Sequence, residues 1–97
     1  MTEFYNQVKE RFMRYARINT ESNPHSTSVP TTSCQHDLAK VIYEELQEIG
    51  ATNVYYDKDT CVVYGSLEAN VKTGRAIGFV THMDTAPDAS GKDVKPW

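Results

Sequence analysis

Residues 76–91, AIGFVTHMDTAPDASG, join a short apolar run to a loop of small and polar residues. The apolar residues are consecutive and do not alternate with polar ones, which is typical of a strand covered on both faces inside an α/β sheet. We therefore expect a buried strand at Ala76–Thr81. His82 and Asp84 follow this strand directly, and alternate side chains of an extended segment point the same way. The pair is thus predicted to lie on one face, where the strand ends.

Upstream of this strand, the hydrophobic pattern predicts two amphipathic helices. The first covers residues 2–17 and carries an apolar stripe at i, i+4 spacing from Phe4 to Phe12. The second begins near Thr32, where T-S-C-Q fits a capping box. It ends at Gly50, because glycine adopts the left-handed conformation that closes many helices. The segment between the helices contains two prolines and many hydroxyl side chains, so we expect it to be an irregular loop.

A β-hairpin is predicted between the second helix and the buried strand. Two runs rich in Val and Tyr, Asn53–Asp57 and Cys61–Ser66, are separated by the short turn D-K-D-T. A buried strand needs a neighbour on each side, and this hairpin supplies at most one. The predicted fold class is therefore α/β, with two helices, a hairpin and one buried strand forming the beginning of a larger domain.

Composition and charge narrow the class of function. The net charge of −3 and the pI of about 5.5 disfavour nucleic acid as a partner, since phosphate binding needs a concentrated basic face. No apolar stretch approaches the length of a membrane span, and the first residues lack the apolar core of a signal peptide. A cytoplasmic protein is the simplest interpretation, with Cys34 and Cys61 as reduced thiols and a disulfide left as the alternative.

The histidine and aspartate at the end of the strand suggest metal chemistry. A histidine at this place in an α/β sheet is suited to bind zinc, and a nearby carboxylate can hold its second ring nitrogen and fix the tautomer. The ordinary alternative is that His82 and Asp84 are loop residues with no ligand, since H-x-D is a common spacing. Zinc sites need three or four protein ligands. His25 in the proline-rich loop and His36 in the second helix are not expected to supply them.

Longer stretches of the chain carry a family resemblance. THMDTAPDASGKDVKPW at 81–97, preceded by AIGFV at 76–80, resembles the tripeptide aminopeptidases of the aminoacylase/carboxypeptidase-type family of di-zinc peptidases. F-x-R-Y-A-R-I-N-T-x-S at 12–22 resembles the opening helix and loop of these enzymes. S-T-S-V-P-T-T at 26–32, followed by Q-H-x-L-A-K-x-I-x-E-E-L at 35–46, resembles their second helix region. The resemblance covers essentially all 97 residues.

The resemblance implies a fold, a cofactor and a substrate class. Residues 1–97 would form the N-terminal portion of a zinc-exopeptidase-like α/β/α catalytic domain, without the lid or dimerisation domain. His82 would be the first ligand of a site for two Zn²⁺ ions. Asp84 would be the catalytic aspartate that orients its imidazole. Tripeptides would be cleaved to release their N-terminal residue.

The remaining ligands and the glutamate base of the family belong to parts of its chain that are absent here. Four nearby aspartates are not expected to replace them, because acids in loops and turns are mostly solvated or turn-forming. These are Asp57, Asp59, Asp88 and Asp93. We therefore expect the 97-residue chain alone to be inactive, since one histidine and one carboxylate cannot hold two catalytic zinc ions.

Two other functions remain open from the sequence. The chain could come from a related dipeptidase or aminoacylase of the same family, since substrate choice depends on residues outside it. It could also be a non-catalytic α/β interaction module. In either case the missing strands would leave a sheet edge bare, with AIGFV as its most apolar exposed part, and such an edge favours self-association or a homo-oligomer.

Overall fold

The computed structural model describes residues 2–72 and 74–96 of the chain. In chain order the elements are α1 (Thr2–Ala16), α2 (Gln35–Glu48), β1 (Thr52–Asp57) and β2 (Val62–Ser66). The predicted mixed α/β arrangement of two helices and a hairpin is confirmed. Thr73 of the polar turn and Trp97 of the quoted motif lie outside the described residues. Among the described residues, no helix is long and apolar enough to cross a membrane.

The two strands form an antiparallel hairpin, as expected. Tyr55 lies opposite Tyr64, and their rings stack with centroids 6.2 Å apart. The turn between the strands is closed by Asp57, whose carboxylate accepts the backbone N–H of Asp59 at 3.0 Å, and by Cys61, which adopts φ +58°. The Cys61 side chain is buried, so this end of the hairpin is covered.

Helix α2 packs on the hairpin at a point where β2 has no side chain. A Cβ atom on Gly65 would lie 3.2 Å from Cδ1 of Leu46, so a glycine permits the close approach of helix and strand. The helix ends as the sequence predicts. Gly50 has φ +89°, its N–H donates to the carbonyl of Gln47, and the N–H of Ala51 donates to the carbonyl of Leu46. This is the Schellman arrangement, which satisfies carbonyls at the helix end.

The start of α2 differs from the prediction. The Thr32 hydroxyl does not cap the helix and instead donates to the Glu21 carbonyl at 2.8 Å. The Gln35 side-chain amide then donates to Oγ1 of Thr32 at 3.0 Å. Cys34 precedes the helix in a helical conformation and makes no side-chain cap bond. The capping-box prediction was therefore wrong, because the loop uses the Thr32 hydroxyl and the helix begins at Gln35.

The buried strand expected at Ala76–Thr81 is not formed. Residues 76–80 have no regular structure, and the side chains of Ile77, Phe79 and Val80 are 83%, 92% and 100% exposed. An interior strand is stabilised by hydrogen-bonded neighbours and by apolar cover on both faces. In the described part of the chain, the sheet contains only β1 and β2, so neither is available to this segment.

The buried core of the described residues is small. Its apolar members are Leu38, Ala39 and Cys61, while Phe4 and Phe12 of the α1 stripe are each 68% exposed. The radius of gyration is 15.4 Å, larger than the roughly 13 Å of a compact domain of about 100 residues. Apolar surface on α1 and on residues 76–80 is thus left without a covering layer.

A cluster of charged and phenolic side chains joins the two helices. The Glu45 carboxylate of α2 accepts bonds from Nε of Arg11 at 3.1 Å, Nε of Arg14 at 3.1 Å and the Tyr15 hydroxyl at 2.9 Å. The Glu45 side chain is only 12% exposed. Burial, followed by the hydrogen bond to Glu45, raises the pKa of Tyr15 above its usual value. These contacts place α1 beside α2 although no residue of α1 is buried.

Candidate metal centre at His82 and Asp84

The structure brings the predicted pair into direct contact. Nδ1 of His82 lies 2.9 Å from the Asp84 backbone carbonyl oxygen and 3.1 Å from Oδ1 of its carboxylate. Both partners accept hydrogen bonds, so Nδ1 carries the proton, and this tautomer is assigned from its partners. In the neutral imidazole the lone pair then resides on Nε2. The geometry leaves Nε2 of His82 available as a metal ligand.

The side-chain contact alone holds this histidine weakly. The His82 and Asp84 side chains are 82% and 41% exposed. Exposed ion pairs contribute about 0–1 kcal/mol, because water competes for both groups. The orientation of the imidazole therefore depends on how firmly the backbone of this segment is held.

Hydrogen bonds between Thr85 and the segment 20–22 anchor that backbone. Thr85 forms a parallel bridge with Glu21: the Thr85 N–H donates to the Thr20 carbonyl at 3.0 Å, and the Ser22 N–H donates to the Thr85 carbonyl at 2.8 Å. The Ser22 hydroxyl donates to the same Thr85 carbonyl at 3.0 Å. Thr20 is only 3% exposed. We call these three bonds the Thr85 bridge.

The opposite edge of the segment 20–22 is also bonded. The Glu21 N–H donates to Oδ1 of Asn19 at 3.1 Å, and the Glu21 carbonyl accepts the Thr32 hydroxyl at 2.8 Å. Thr32 in turn accepts a bond from the first residue of α2, Gln35. The bridge is thus connected through Glu21 and Thr32 to the beginning of a helix.

Gly91 closes the loop over the bridge. A Cβ atom at this position would lie 3.0 Å from Oδ1 of Asn19 and 3.1 Å from Oγ1 of Thr85. Both distances are shorter than ordinary van der Waals contact, so a side chain at Gly91 would displace one of these neighbours. Residues 86–91 can fold back onto the bridge because the position is a glycine.

An apolar groove lies beside the pair. It runs between the end of α1, α2 and the segment 81–94. Its apolar lining includes Tyr15, Ile18, Leu38, Ile42, Met83 and Val94. Met83, which lies between His82 and Asp84, is half-buried and lines this groove.

Among the described residues, the other histidines and the two cysteines do not join His82 and Asp84 in a metal-binding group. Nδ1 of His36 is hydrogen-bonded to the Tyr56 hydroxyl of β1, so this histidine joins α2 to the hairpin. The backbone of His25 donates to the Asn23 side chain within its loop. Cys34 and Cys61 are free thiols. Within residues 2–72 and 74–96, no group of three or more His, Cys, Asp or Glu residues is placed to hold a metal ion.

Sequence reasoning did not find the Thr85 bridge. Ser22 and Thr85 are 63 positions apart, and nothing in either local sequence indicates that they meet. The T-x-S at 20–22 belongs to a stretch that resembles the di-zinc peptidases, and it gives no sign of a contact with Thr85. A backbone bridge leaves little trace in sequence, because most side chains permit it.

Comparison with known proteins gives a consistent set of relatives. No family model matches the chain. It is 46% identical over 90 residues to Peptidase T of Alkaliphilus oremlandii and 48% identical over 91 residues to Peptidase T of Geobacillus kaustophilus. It is 50% identical over 91 residues to Peptidase T of Bacillus cereus strain G9842. These alignments cover 90–93% of this chain, and the chain spans 22% of the length of each of these relatives.

Proposed function

We propose that this chain is a segment of a peptidase T, an aminopeptidase that removes the N-terminal residue of tripeptides. The observation that carries the proposal is the alignment of 90–93% of the chain with Peptidase T of three bacterial genera at 46–50% identity. The stretch H-M-D-T-A-P-D within it contains the only histidine that the structure pairs with a carboxylate among the described residues. The activity belongs to the longer protein, of which this chain is about a fifth.

The chemistry of the donor set fits zinc. His82 presents an exposed imidazole whose Nε2 is free, and Asp84 holds the proton on Nδ1. A hydrogen bond from the ring nitrogen that does not bind the metal fixes the orientation of the ring and raises the basicity of a zinc-binding histidine. When bound, zinc polarises the scissile carbonyl of the peptide. The contribution of this chain is to hold one ligand in the correct tautomer.

The ligand count limits what the chain does alone. A catalytic zinc site uses three protein ligands and an open position, and the described residues bring one histidine to the site. The proposal therefore assigns the other ligands, the second zinc and the general base to the rest of the protein. We place residues 1–97 in the N-terminal portion of its catalytic domain, in a cytoplasmic enzyme with no nucleic-acid or membrane partner.

The test uses the purified full-length protein and three classes of substrate. We expect a free N-terminal residue to be released from a tripeptide much faster than a dipeptide or an N-acetylated amino acid is cleaved. Addition of a chelator should abolish this release, and zinc should restore it. Faster cleavage of the dipeptide or the acylated substrate would favour a different enzyme of the same family.

The matched control is the 97-residue chain in the same assay. We expect no zinc-dependent hydrolysis, because the completing ligands are absent. Hydrolysis by this chain would contradict the ligand count. If the full-length protein cleaves none of the three substrates, the proposal is wrong and a non-catalytic module becomes the better hypothesis.

A further inference from the structure

We propose that Ser22 is a positioning residue for the metal-binding histidine, acting through the Thr85 bridge. By bonding twice to the Thr85 carbonyl, Ser22 holds the peptide group that directly follows the one against which the His82 imidazole is aligned. The effect of Ser22 on catalysis rests on the proposed function, the hydrolysis of tripeptides. The alignment itself concerns residues of this chain and can be tested without activity.

The first step concerns one peptide group, the one that joins Asp84 to Thr85. Its carbonyl accepts Nδ1–H of His82 at 2.9 Å, and its N–H donates to the Thr20 carbonyl at 3.0 Å. The group is planar, so fixing its N–H fixes the direction of its carbonyl. Thr20, which is 3% exposed, thus determines where the acceptor for His82 points.

The second step concerns the next carbonyl along the chain. The Thr85 carbonyl accepts both the N–H and the hydroxyl of Ser22, at 2.8 and 3.0 Å. A bond to Thr20 alone would allow the segment to pivot about that contact. Two further bonds to the following peptide group remove this freedom. The Ser22 hydroxyl is the only part of the bridge that a side-chain substitution can delete.

The third step concerns the segment 20–22, which is itself held by hydrogen bonds to the beginning of α2. The Glu21 carbonyl accepts the Thr32 hydroxyl, and Thr32 accepts a bond from Gln35 at the start of α2. On the other side, Gly91 approaches both Asn19 and Thr85 closely. These bonds connect the exposed His82 imidazole to the beginning of α2.

The central variant is Ser22→Ala in the full-length protein, with Ser28→Ala as its control. Ser28 also donates its hydroxyl to a backbone carbonyl, that of Pro30 at 2.8 Å, but has no contact with Thr85. Loss of one hydrogen bond corresponds to about a fivefold change. We expect kcat to fall about fivefold in Ser22→Ala with little change in KM, and zinc affinity to fall by about the same factor. Ser28→Ala should resemble the wild type, and Ser22→Thr should restore kcat.

The second readout is the state of His82 in the metal-free protein. With ¹⁵N-labelled histidine, at a pH where the imidazole is neutral, the wild type should show the His82 tautomer with its proton on Nδ1. Ser22→Ala should shift this signal toward a mixture of tautomers, while Ser28→Ala should leave it unchanged. His82→Gln identifies the signal by its loss.

Gly91→Ala provides a second route to the same result if Ser22→Ala folds poorly. Its Cβ would press on Asn19 and Thr85, whereas Gly74→Ala has nothing within 4 Å and serves as its control. We expect Gly91→Ala, and not Gly74→Ala, to lower kcat and to disturb the His82 signal.

The outcomes separate the inference from the function on which it rests. A lower melting temperature with unchanged kcat, zinc affinity and His82 signal in both Ser22→Ala and Gly91→Ala would overturn the positioning role. An inactive wild-type protein whose His82 signal still responds to Ser22→Ala would refute the proposed function and support the positioning. An active wild-type protein whose His82 signal does not respond to Ser22→Ala would support the proposed function and refute the positioning role.

Discussion

Thr20 and His82 bind opposite ends of one peptide group. The Thr20 carbonyl accepts the N–H of the Asp84–Thr85 peptide at 3.0 Å, and the carbonyl of that peptide accepts Nδ1–H of His82 at 2.9 Å. Hydrogen bonds at the two ends of a peptide group polarise and strengthen each other. A buried residue of the loop after α1 is thereby coupled to an exposed histidine 62 positions later.

The first prediction concerns the carboxylate that holds His82. Asp84→Asn keeps an acceptor oxygen near Nδ1 but removes the negative charge. If His82 binds zinc as proposed, its imidazole should then be a poorer ligand. Losses of such partners typically cost about 10–100-fold in metal affinity or activity. We expect a fall in that range in kcat/KM of the full-length protein, measured with a tripeptide, together with a lower zinc content.

Asp88→Asn is the matched control for this change. Asp88 lies in the same loop and is exposed, whereas the described contacts of His82 Nδ1 are with Asp84. It should retain the wild-type rate. Equal rates for Asp84→Asn and the wild type would show that the carboxylate does not tune the ligand.

The second prediction concerns the link between the helices. Glu45→Ala removes the carboxylate that accepts bonds from Arg11, Arg14 and Tyr15. The side chains of Arg11 and Arg14 are 36% and 52% exposed, so hydration by water replaces part of the ion-pair interaction that they lose. We expect the free energy of unfolding to fall by about 1 kcal/mol, measured by urea denaturation. Glu44→Ala, on the exposed side of the same turn, should change it far less.

The third prediction concerns alkaline pH. Burial and the bond to Glu45 raise the pKa of Tyr15, which favours its neutral form in the folded state. Burial likewise raises the pKa of Cys61 and of Tyr56. For a group whose pKa is raised on folding, the stabilising contribution is complete below the unfolded pKa and is lost as the pH rises through the folded value.

Stability should therefore begin to decline once the pH exceeds the unfolded pKa values, 9.0 for the thiol and 10.0 for the phenols, and should continue to fall up to the higher folded values. Urea denaturation between about pH 8 and pH 11 measures this. Tyr15→Phe should make the decline at the upper end shallower. A free energy of unfolding that is constant over this range, or that rises, would contradict the assigned directions.

The fourth prediction concerns the uncovered apolar segment. Ile77, Phe79 and Val80 are at least 83% exposed, and exposed apolar stretches of this kind promote association. We expect the 97-residue chain to self-associate in sedimentation experiments and Phe79→Ser to reduce that association. Leu67→Ser, which changes a single exposed apolar residue outside the segment, should have a smaller effect. A monomeric wild-type chain would show that the segment finds cover within the chain.

Local patterns predicted the regular elements because short-range physics determines them. The helix stripe of α1, the glycine that ends α2 and the Val- and Tyr-rich hairpin each depend on residues close in sequence. The strand at Ala76–Thr81 was predicted from the same kind of pattern and is absent. An interior strand needs neighbours from elsewhere in the sheet, so its apolar sequence is not sufficient to form it.

The candidate site was predicted only in part for the same reason. The contact between His82 and Asp84 spans two residues and followed from their spacing. The Thr85 bridge joins segments more than sixty residues apart, and backbone groups make two of its three bonds. Thr32 was predicted to cap a helix, but its hydroxyl supports the bridge instead. Long-range hydrogen bonds override a local capping preference where a loop must be held.

The most direct test of the central claim is the release of the N-terminal residue from a tripeptide by the full-length protein, compared between the wild type and His82→Gln. If His82 is a zinc ligand of a tripeptide aminopeptidase, the wild type should bind zinc and turn over the tripeptide. The variant should bind less zinc and lose nearly all activity, while remaining folded by circular dichroism. A His82→Gln protein with the zinc content and tripeptide turnover of the wild type would contradict the account.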